Sequence, residues 1–158
     1  KKYIEHEVII DSKKIKVKNQ IKERYKPKRD FILENHKVYK LFSSNHTVPL
    51  EKLAFARSGD KGDHSNIGVI ARDKNYLPFI RDALQTEVVS DFFKHVLKGP
   101  VKRWEVPGIN GLNFLLMNSL GGGGMASLYI DPQGKAYAQM LLEIPIAVPK
   151  TLAQKLNN

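Results

Sequence analysis

The stretch at residues 57–68 constrains the fold more than any other part of the chain. It reads Arg-Ser-Gly-Asp-Lys-Gly-Asp-His-Ser-Asn-Ile-Gly and lies between two short apolar runs, at 53–56 and 67–71. Short apolar runs bounded by turn-forming residues are typical of strands. The sequence therefore predicts two strands joined by a polar loop over 57–68.

Two kinds of binding site can be built from this loop. Its carboxylates, with a neighbouring amide and the imidazole of His64, can bind a hard cation. Its two cationic side chains and the glycine amides can instead hold a phosphate or a carboxylate. A third interpretation is a solvated connection with no ligand, because Asp and Gly are ordinary turn residues. The candidate binding residues here are Arg57, Ser58, Asp60, Lys61, Asp63 and Asn66.

The composition excludes several classes of protein. The 158 residues are enough for one domain plus an extension. Because the chain has no Cys, disulfides, thiolate zinc sites and a Cys nucleophile are excluded, and a reducing cytoplasm is the expected location. No apolar run approaches the roughly 20 residues that span a bilayer, so no membrane partner is expected.

The positive charge is concentrated at the front of the chain. Residues 1–50 hold 13 Lys and Arg against 6 Asp and Glu, whereas residues 51–158 hold 13 against 10. A basic arm can bind nucleic acid through its phosphates. No aromatic stacking motif is interleaved with these cations, so nucleic acid is not favoured as a partner.

The patterns divide the chain into an extension, a domain and a tail. Residues 3–18 read as a hairpin with a polar turn at 11–14, 19–30 as a connection, 31–42 as strand or helix, and 43–49 as a linker. We therefore expect 1–47 to be a basic hairpin and linker, ending a missing N-terminal domain, with the domain at 48–150. Residues 151–158 are expected to be a frayed tail.

Within the domain the apolar periodicity changes several times. It predicts helices over about 76–84 and 87–97, a strand over 101–106 and a helix over about 109–120. A strand at 127–130, a turn at 131–134 and a return strand over 135–148 follow, with a helix over 135–143 as the second choice.

A run of four glycines follows the helix predicted over 109–120. One glycine is enough to end a helix, and each further glycine loses conformational entropy on folding. Close approach of the backbone to another group is therefore a better explanation than a flexible turn. Freed amides can bind an anion, although the Lys and Ser/Thr of a P-loop are absent. The glycines are Gly121, Gly122, Gly123 and Gly124.

An ordered series of motifs resembles a known family. The motifs lie at 56–63, 66–69, 112–114, 121–124, 127–128 and 133–135. Together they resemble the C-terminal domain of the acyclic terpene utilisation protein A (AtuA) family, over about residues 48–149. The resemblance implies a ferredoxin-like domain that is often attached to a larger N-terminal domain, in proteins tied to catabolism of citronellol and geraniol type terpenoids.

The expected fold class is α+β, a two-layer sandwich with a mostly antiparallel sheet and helices on one face. The predicted order from residue 53 is strand-strand-helix-helix-strand-helix-strand-strand. This order does not map onto the simple βαββαβ order, so the ferredoxin-like fold is implied by the resemblance alone.

Three functional hypotheses follow. In the first, the chain is an accessory domain that binds an anionic ligand, or completes a site with a partner domain. Arg57 and Lys61 supply positive charge, and the acidic residues orient them or bind a cation. Asn66 and Asn113 form hydrogen bonds with the ligand. The sequence names neither a cofactor nor a metal.

The second hypothesis is a structural domain that assembles into a homo-oligomer, with the loop locked in internal ion pairs. The third is a stand-alone enzyme in which His64, beside Asp60 or Asp63, performs acid-base chemistry. No nucleophile elbow, His-Glu-x-x-His zinc motif or Rossmann fingerprint accompanies it, so autonomous catalysis is not favoured.

Overall fold

The computed structural model describes residues 6–17 and 44–157, which belong to two separate compact units. The first unit contains an antiparallel hairpin of β1 (His6–Ile10) and β2 (Lys13–Val17). Asp11 and Ser12 form its turn with φ values of 47° and 63°. Two-residue loops with positive φ match the twist of a hairpin. The predicted hairpin is confirmed, with a shorter turn, and the elements predicted over 19–42 lie outside the described residues.

The second unit is built on a four-stranded antiparallel sheet. Its strands are β4 (Ala54–Lys61), β5 (His64–Ala71), β6 (Val101–Val106) and β7 (Gly111–Leu116), in the spatial order β4-β5-β7-β6. A small two-stranded sheet pairs β3 (Thr47–Pro49) with β8 (Pro145–Ala147).

Four helices complete the unit. They are α1 (Leu77–Ala83), α2 (Thr86–Phe92), α3 (Tyr137–Leu142) and α4 (Lys150–Asn157). α3 packs against β4 and β5, and α2 packs against β6. No helix in the described ranges has the length and apolarity that crossing a membrane requires.

The main sheet has one buried face and one open face. Side chains alternate along each strand, so Ile67, Phe114 and Leu116 point into the core, where each is fully buried. Burial of such a side chain contributes about 1.5–3 kcal/mol. The side chains of Phe55 and Trp104 lie on the opposite, open face of the sheet and are about half exposed. The helices cover the buried face, which confirms the expected α+β class.

The polar stretch at 57–68 is not a loop, so that prediction is wrong. β4 and β5 extend through it and leave only Gly62 and Asp63 as the turn. The stretch lacks the alternation of apolar and polar residues that usually marks a strand, because two of its positions that face the core are serines. Ser58 and Ser65 are buried with their hydroxyls hydrogen-bonded, and they occupy core positions that usually hold apolar residues.

Two further predictions are wrong between 109 and 130. The helix predicted over 109–120 is the strand β7, in which Leu112, Phe114 and Leu116 are buried on one face. The segment 127–130, predicted as a strand, has no regular secondary structure. The turn at 131–134 is confirmed, with an amide of Gly134 donating to the carbonyl oxygen of Asp131.

The C-terminal predictions are partly wrong. The second choice for 135–143 is confirmed because α3 is a helix, and only 145–147 forms the expected strand. Residues 150–157 form α4 instead of a frayed tail, and the helix is ordered by burial of Ala153 against the core. α1 and α2 match the predicted helices, although α2 ends at Phe92.

Candidate functional site

A polar cleft of about 380 Å³ lies at the β4 edge of the main sheet. Residues from β4 and β5 form most of it, and one residue comes from the turn before α3. The lining residues are Arg57, Ser58, Gly59, Asp60, Lys61, Asn66, Gly68 and Lys135. Five of the residues predicted from sequence therefore share one cleft.

Three cationic residues and one acidic residue line this cleft. Arg57, Lys61 and Lys135 line it together with Asp60. Lys61 Nζ reaches the Asp60 carbonyl oxygen at 3.4 Å, and no salt bridge within the described residues involves any of the three cations. The cleft therefore carries uncompensated positive charge, which is the electrostatic requirement for an anion site.

The floor of the cleft is formed by two glycines. Gly59 and Gly68 are on adjacent strands, in positions whose side chains would stand on the open face. A Cβ at Gly68 would meet only the Arg57 carbonyl oxygen, at 3.9 Å, and a Cβ at Gly59 would lie 3.6 Å from Lys135 Nζ. The cleft exists because neither position carries a side chain.

The hydroxyl of Ser58 connects β4 to the segment that carries Lys135. Its hydroxyl donates to the Lys135 carbonyl oxygen at 3.0 Å and accepts from the Ala138 amide at 2.9 Å. These bonds connect β4 to the start of α3 and fix the backbone of Lys135. The Ser58 hydroxyl proton is therefore used within the protein, and the residue positions Lys135 beside the two cations of β4.

Sequence reasoning missed Lys135 as a site residue. Lys135 is 77 positions from Ser58 in the chain, and nothing in the local pattern at 133–135 indicates a distant cluster of cations. The available sequence signal for Lys135 was its position in the motif at 133–135, which is one of the motifs that resemble the family.

Asn66 and Asn113 form a pair on neighbouring strands of the open face. Asn66 Nδ2 donates to Asn113 Oδ1 at 2.7 Å and to the Phe114 carbonyl oxygen at 3.0 Å. The pairing leaves Asn66 Oδ1 and Asn113 Nδ2 without a hydrogen bond to other described residues. One acceptor and one donor are thus held in fixed positions beside the cationic cleft.

Asp63 lies in the turn between β4 and β5 and binds the glycine run. Its Oδ1 accepts from the Gly122 amide at 2.6 Å and its Oδ2 from Asn118 Nδ2 at 3.2 Å. The Gly122 bond, followed by the Asn118 bond, lowers the pKa of the Asp63 carboxyl below its ordinary value. The Asp63 carbonyl oxygen also accepts from the amides of Ser119 and Leu120.

The glycine run packs against this same turn. All four glycines have positive φ, between 48° and 101°. A Cβ at Gly123 would overlap the carbonyl oxygen of Gly62. The close backbone approach expected from the run is therefore made to the Gly62–Asp63 turn. None of the four glycines lines the cationic cleft.

His64 is also used within the protein. Its Nδ1 accepts from the Asn118 amide at 2.9 Å, which requires Nδ1 to be unprotonated. His64 does not line the cleft. Within 6–17 and 44–157, no group of three or more acidic or His side chains is placed to hold a metal ion.

Comparison with known proteins identifies the domain. A model of the AtuA ferredoxin-like domain family matches residues 48–147. No curated protein and no solved structure matches the chain. The matched range spans β4 to β8 and contains every residue that lines the cleft. The chain therefore belongs to the AtuA ferredoxin-like domain family.

Proposed function

We propose that this domain binds a small anionic ligand of the phosphate or carboxylate class in the cleft formed by β4, β5 and Lys135. The observation that carries the proposal is the meeting of Arg57, Lys61 and Lys135 around a glycine floor, with Asp60 as the one carboxylate in the lining. Charge-assisted hydrogen bonds to an anion are about twice as strong as neutral ones.

The domain acts as an accessory part of a larger AtuA-type protein in acyclic terpenoid catabolism in the cytoplasm. This part of the proposal is supported by membership of the family. It is also supported by the motifs at 56–63 and 133–135, which contain the three cationic residues of the cleft. Several of the lining residues, among them Arg57, Asn66 and Gly68, lie on the open face of the sheet. A partner domain that covers this face can therefore supply further groups to the same ligand.

Thermal melting with pyrophosphate tests the anion site. A ligand at about one hundred times its dissociation constant adds about 2.7 kcal/mol, which is several degrees for a chain of this size. We expect this shift in the wild type and its loss in Arg57→Ala/Lys135→Ala. The matched control is Lys94→Ala/Lys155→Ala, which removes two exposed positive charges outside the cleft.

An equal shift in both double variants would refute the cleft as the binding site. The Lys94–Asp91 salt bridge that the control loses is exposed and is expected to contribute little to stability. The two variants therefore differ mainly in where the positive charge is removed.

A second candidate function is assembly with another copy of the chain. Met125, Leu128 and Ile130 follow the glycine run and are fully exposed. They lie in an irregular segment that borders an apolar cavity of about 550 Å³. Exposed apolar clusters mark interfaces. Light scattering on Leu128→Ser/Ile130→Ser tests this candidate: an assembly through this segment dissociates, whereas an unchanged mass refutes it.

A further inference from the structure

We infer that the anionic ligand is a nucleoside phosphate whose base lies against Trp104, across the open face of the sheet. The inference rests on the proposed anion site and adds the chemical class of the ligand. It is carried by a row of residues that the strand register places side by side.

The row runs straight across all four strands. Arg57 on β4 is opposite Gly68 on β5, Gly68 is opposite Asn113 on β7, and Asn113 is opposite Trp104 on β6. All four positions are on the open face. The row therefore begins with a cation of the cleft, crosses a glycine and an amide, and ends at an indole ring that is 47% exposed.

The spacing excludes a bare phosphate as a ligand for the whole row. Neighbouring strands are about 4.8 Å apart, so the Cα atoms of Arg57 and Trp104 are separated by roughly 14 Å. A phosphate bound at Arg57 cannot also reach the indole. A phosphate joined through a ribose to a planar base is long enough to contact both side chains.

The middle of the row suits a ribose and a base edge. Gly68 carries no side chain, and the nearest atom to a Cβ placed there would be 3.9 Å away. The path from the cleft to Asn113 is therefore not blocked by residue 68. Asn113 Nδ2 stands midway as a hydrogen-bond donor, since its Oδ1 is already bonded to Asn66. Tryptophan provides a flat apolar surface on which a base stacks.

A free nucleotide fits this face better than a nucleic-acid strand. A strand needs several rings on which successive bases stack. The other exposed aromatic ring on the described strands of this face, Phe55, is covered by the guanidinium of Arg72 at 3.8 Å from the ring centroid. Residues 51–158 also carry only three more cationic than acidic side chains.

Intrinsic fluorescence tests the inference directly, because Trp104 is the only Trp in the chain. The wild type is titrated with ADP and with pyrophosphate, with excitation at a wavelength that adenine does not absorb. We expect ADP to quench Trp104 and to bind roughly tenfold more tightly than pyrophosphate, which is within the range for stacking one base. Pyrophosphate is expected to bind without quenching.

Variants separate stacking from charge. Trp104→Ala is expected to bind ADP only as tightly as pyrophosphate, measured by calorimetry, with pyrophosphate affinity unchanged. Gly68→Val places a side chain on the floor of the cleft and on the path from the cleft to Asn113, so it is expected to weaken the binding of both ligands, and of ADP more than of pyrophosphate. Valine is suited to a strand, and the site for its Cβ is unobstructed. The control Phe55→Ala removes an exposed aromatic residue from another row and is expected to bind ADP normally.

The outcomes distinguish the two proposals. Pyrophosphate binding without ADP quenching, or a Trp104→Ala variant with unchanged ADP affinity, overturns the nucleotide inference and leaves the anion site intact. Failure of both ligands to bind overturns both proposals. An oligothymidylate that quenches Trp104 at a lower concentration than ADP overturns the choice of a free nucleotide.

Discussion

At the residue scale, Asp63 links the turn of the β4–β5 hairpin to the glycine run. Its carboxylate accepts two hydrogen bonds, which favour the charged form and lower its pKa in the folded protein. A group with a lowered folded pKa stabilises the fold above its unfolded pKa. That contribution is lost as the pH falls through the folded value.

We therefore expect Asp63→Asn to be less stable than the wild type at neutral pH. The difference should shrink below the ordinary carboxyl pKa of 3.8, because the wild-type carboxyl then gains its proton. Urea unfolding of both proteins over a series of pH values measures the difference. A difference that stays constant into strong acid would show that the charge of Asp63 does not stabilise the fold.

A second prediction concerns the buried hydroxyl of Ser58. Ser58→Ala leaves the amide of the buried Ala138 without its partner and removes one hydrogen bond to the Lys135 carbonyl oxygen. An unsatisfied buried amide costs about 1–3 kcal/mol, so the free energy of unfolding should fall by about that amount. The control Thr151→Ala removes an exposed hydroxyl and should change stability by about 0.5 kcal/mol or less.

Ser58→Ala should also weaken pyrophosphate binding, because the backbone of Lys135 loses its anchor to β4. Calorimetry on the folded variant measures this effect. Normal affinity in a destabilised variant would indicate that Ser58 supports the fold without placing Lys135.

The sequence allowed only part of the lining of the cleft to be predicted. Arg57 and Lys61 were named as candidates because they lie together in one polar stretch, and both line the cleft. Asp63 is hydrogen-bonded to Gly122, 59 residues away, and Ser58 to Lys135, 77 residues away. These partners come close only through the tertiary fold. Local composition therefore marked the stretch as a candidate site. It did not show which side chains form hydrogen bonds within the protein and which remain available to a ligand.

At the scale of elements, the glycine run and the hairpin turn form a single packed unit. Gly123 and Gly124 both have positive φ, at 67° and 48°. A Cβ at Gly123 would overlap the Gly62 carbonyl oxygen, whereas a Cβ at Gly124 would have nothing within 4 Å. The two positions therefore share the backbone penalty and differ in steric contact.

We expect Gly124→Ala to lose about 1–2 kcal/mol, the usual penalty for a left-handed non-glycine residue. Gly123→Ala should lose clearly more, because the turn must also move away from the run. Thermal melting of the two variants compares them, and equal melting temperatures would mean that the run does not press against the turn.

The period of an apolar pattern explains why β7 was predicted as a helix. Leu112 and Leu116 are four residues apart, a spacing that places side chains on one face of a helix and also on one face of a strand. Phe114 is the residue that distinguishes the two, since it is buried between them in the strand. A segment this short contains too few apolar residues to distinguish the period of a helix from that of a strand. It forms a strand because it pairs with β5 and β6.

At the scale of the whole domain, the order of elements explains why the sequence did not map onto the ferredoxin-like pattern. From β4 to α3 the main sheet and its helices follow the order ββαββα, counting α1 and α2 as one helical layer. Moving the last strand of βαββαβ to the front gives this order. The fold class was predictable from its alternating segments, whereas the connection order required the correct assignment of β7.

The charge of the whole molecule leads to a final prediction. The chain has a formal net charge of +10, so any anion is attracted to it over some distance at low salt. The Debye length falls from about 30 Å at 0.01 M salt to about 10 Å at 0.1 M. Distant charges are screened over this range, whereas contacts inside the cleft are screened much less.

Pyrophosphate affinity should therefore weaken as salt rises and then level off at the value set by the cleft. Arg57→Ala should lower affinity at every salt concentration, whereas Lys155→Ala, on the exposed side of α4, should lower it only at low salt. Calorimetry across the salt series separates the two. If Lys155→Ala weakened binding as much as Arg57→Ala at high salt, the anion would not be held by the cleft, and its attraction would come from the net charge of the molecule.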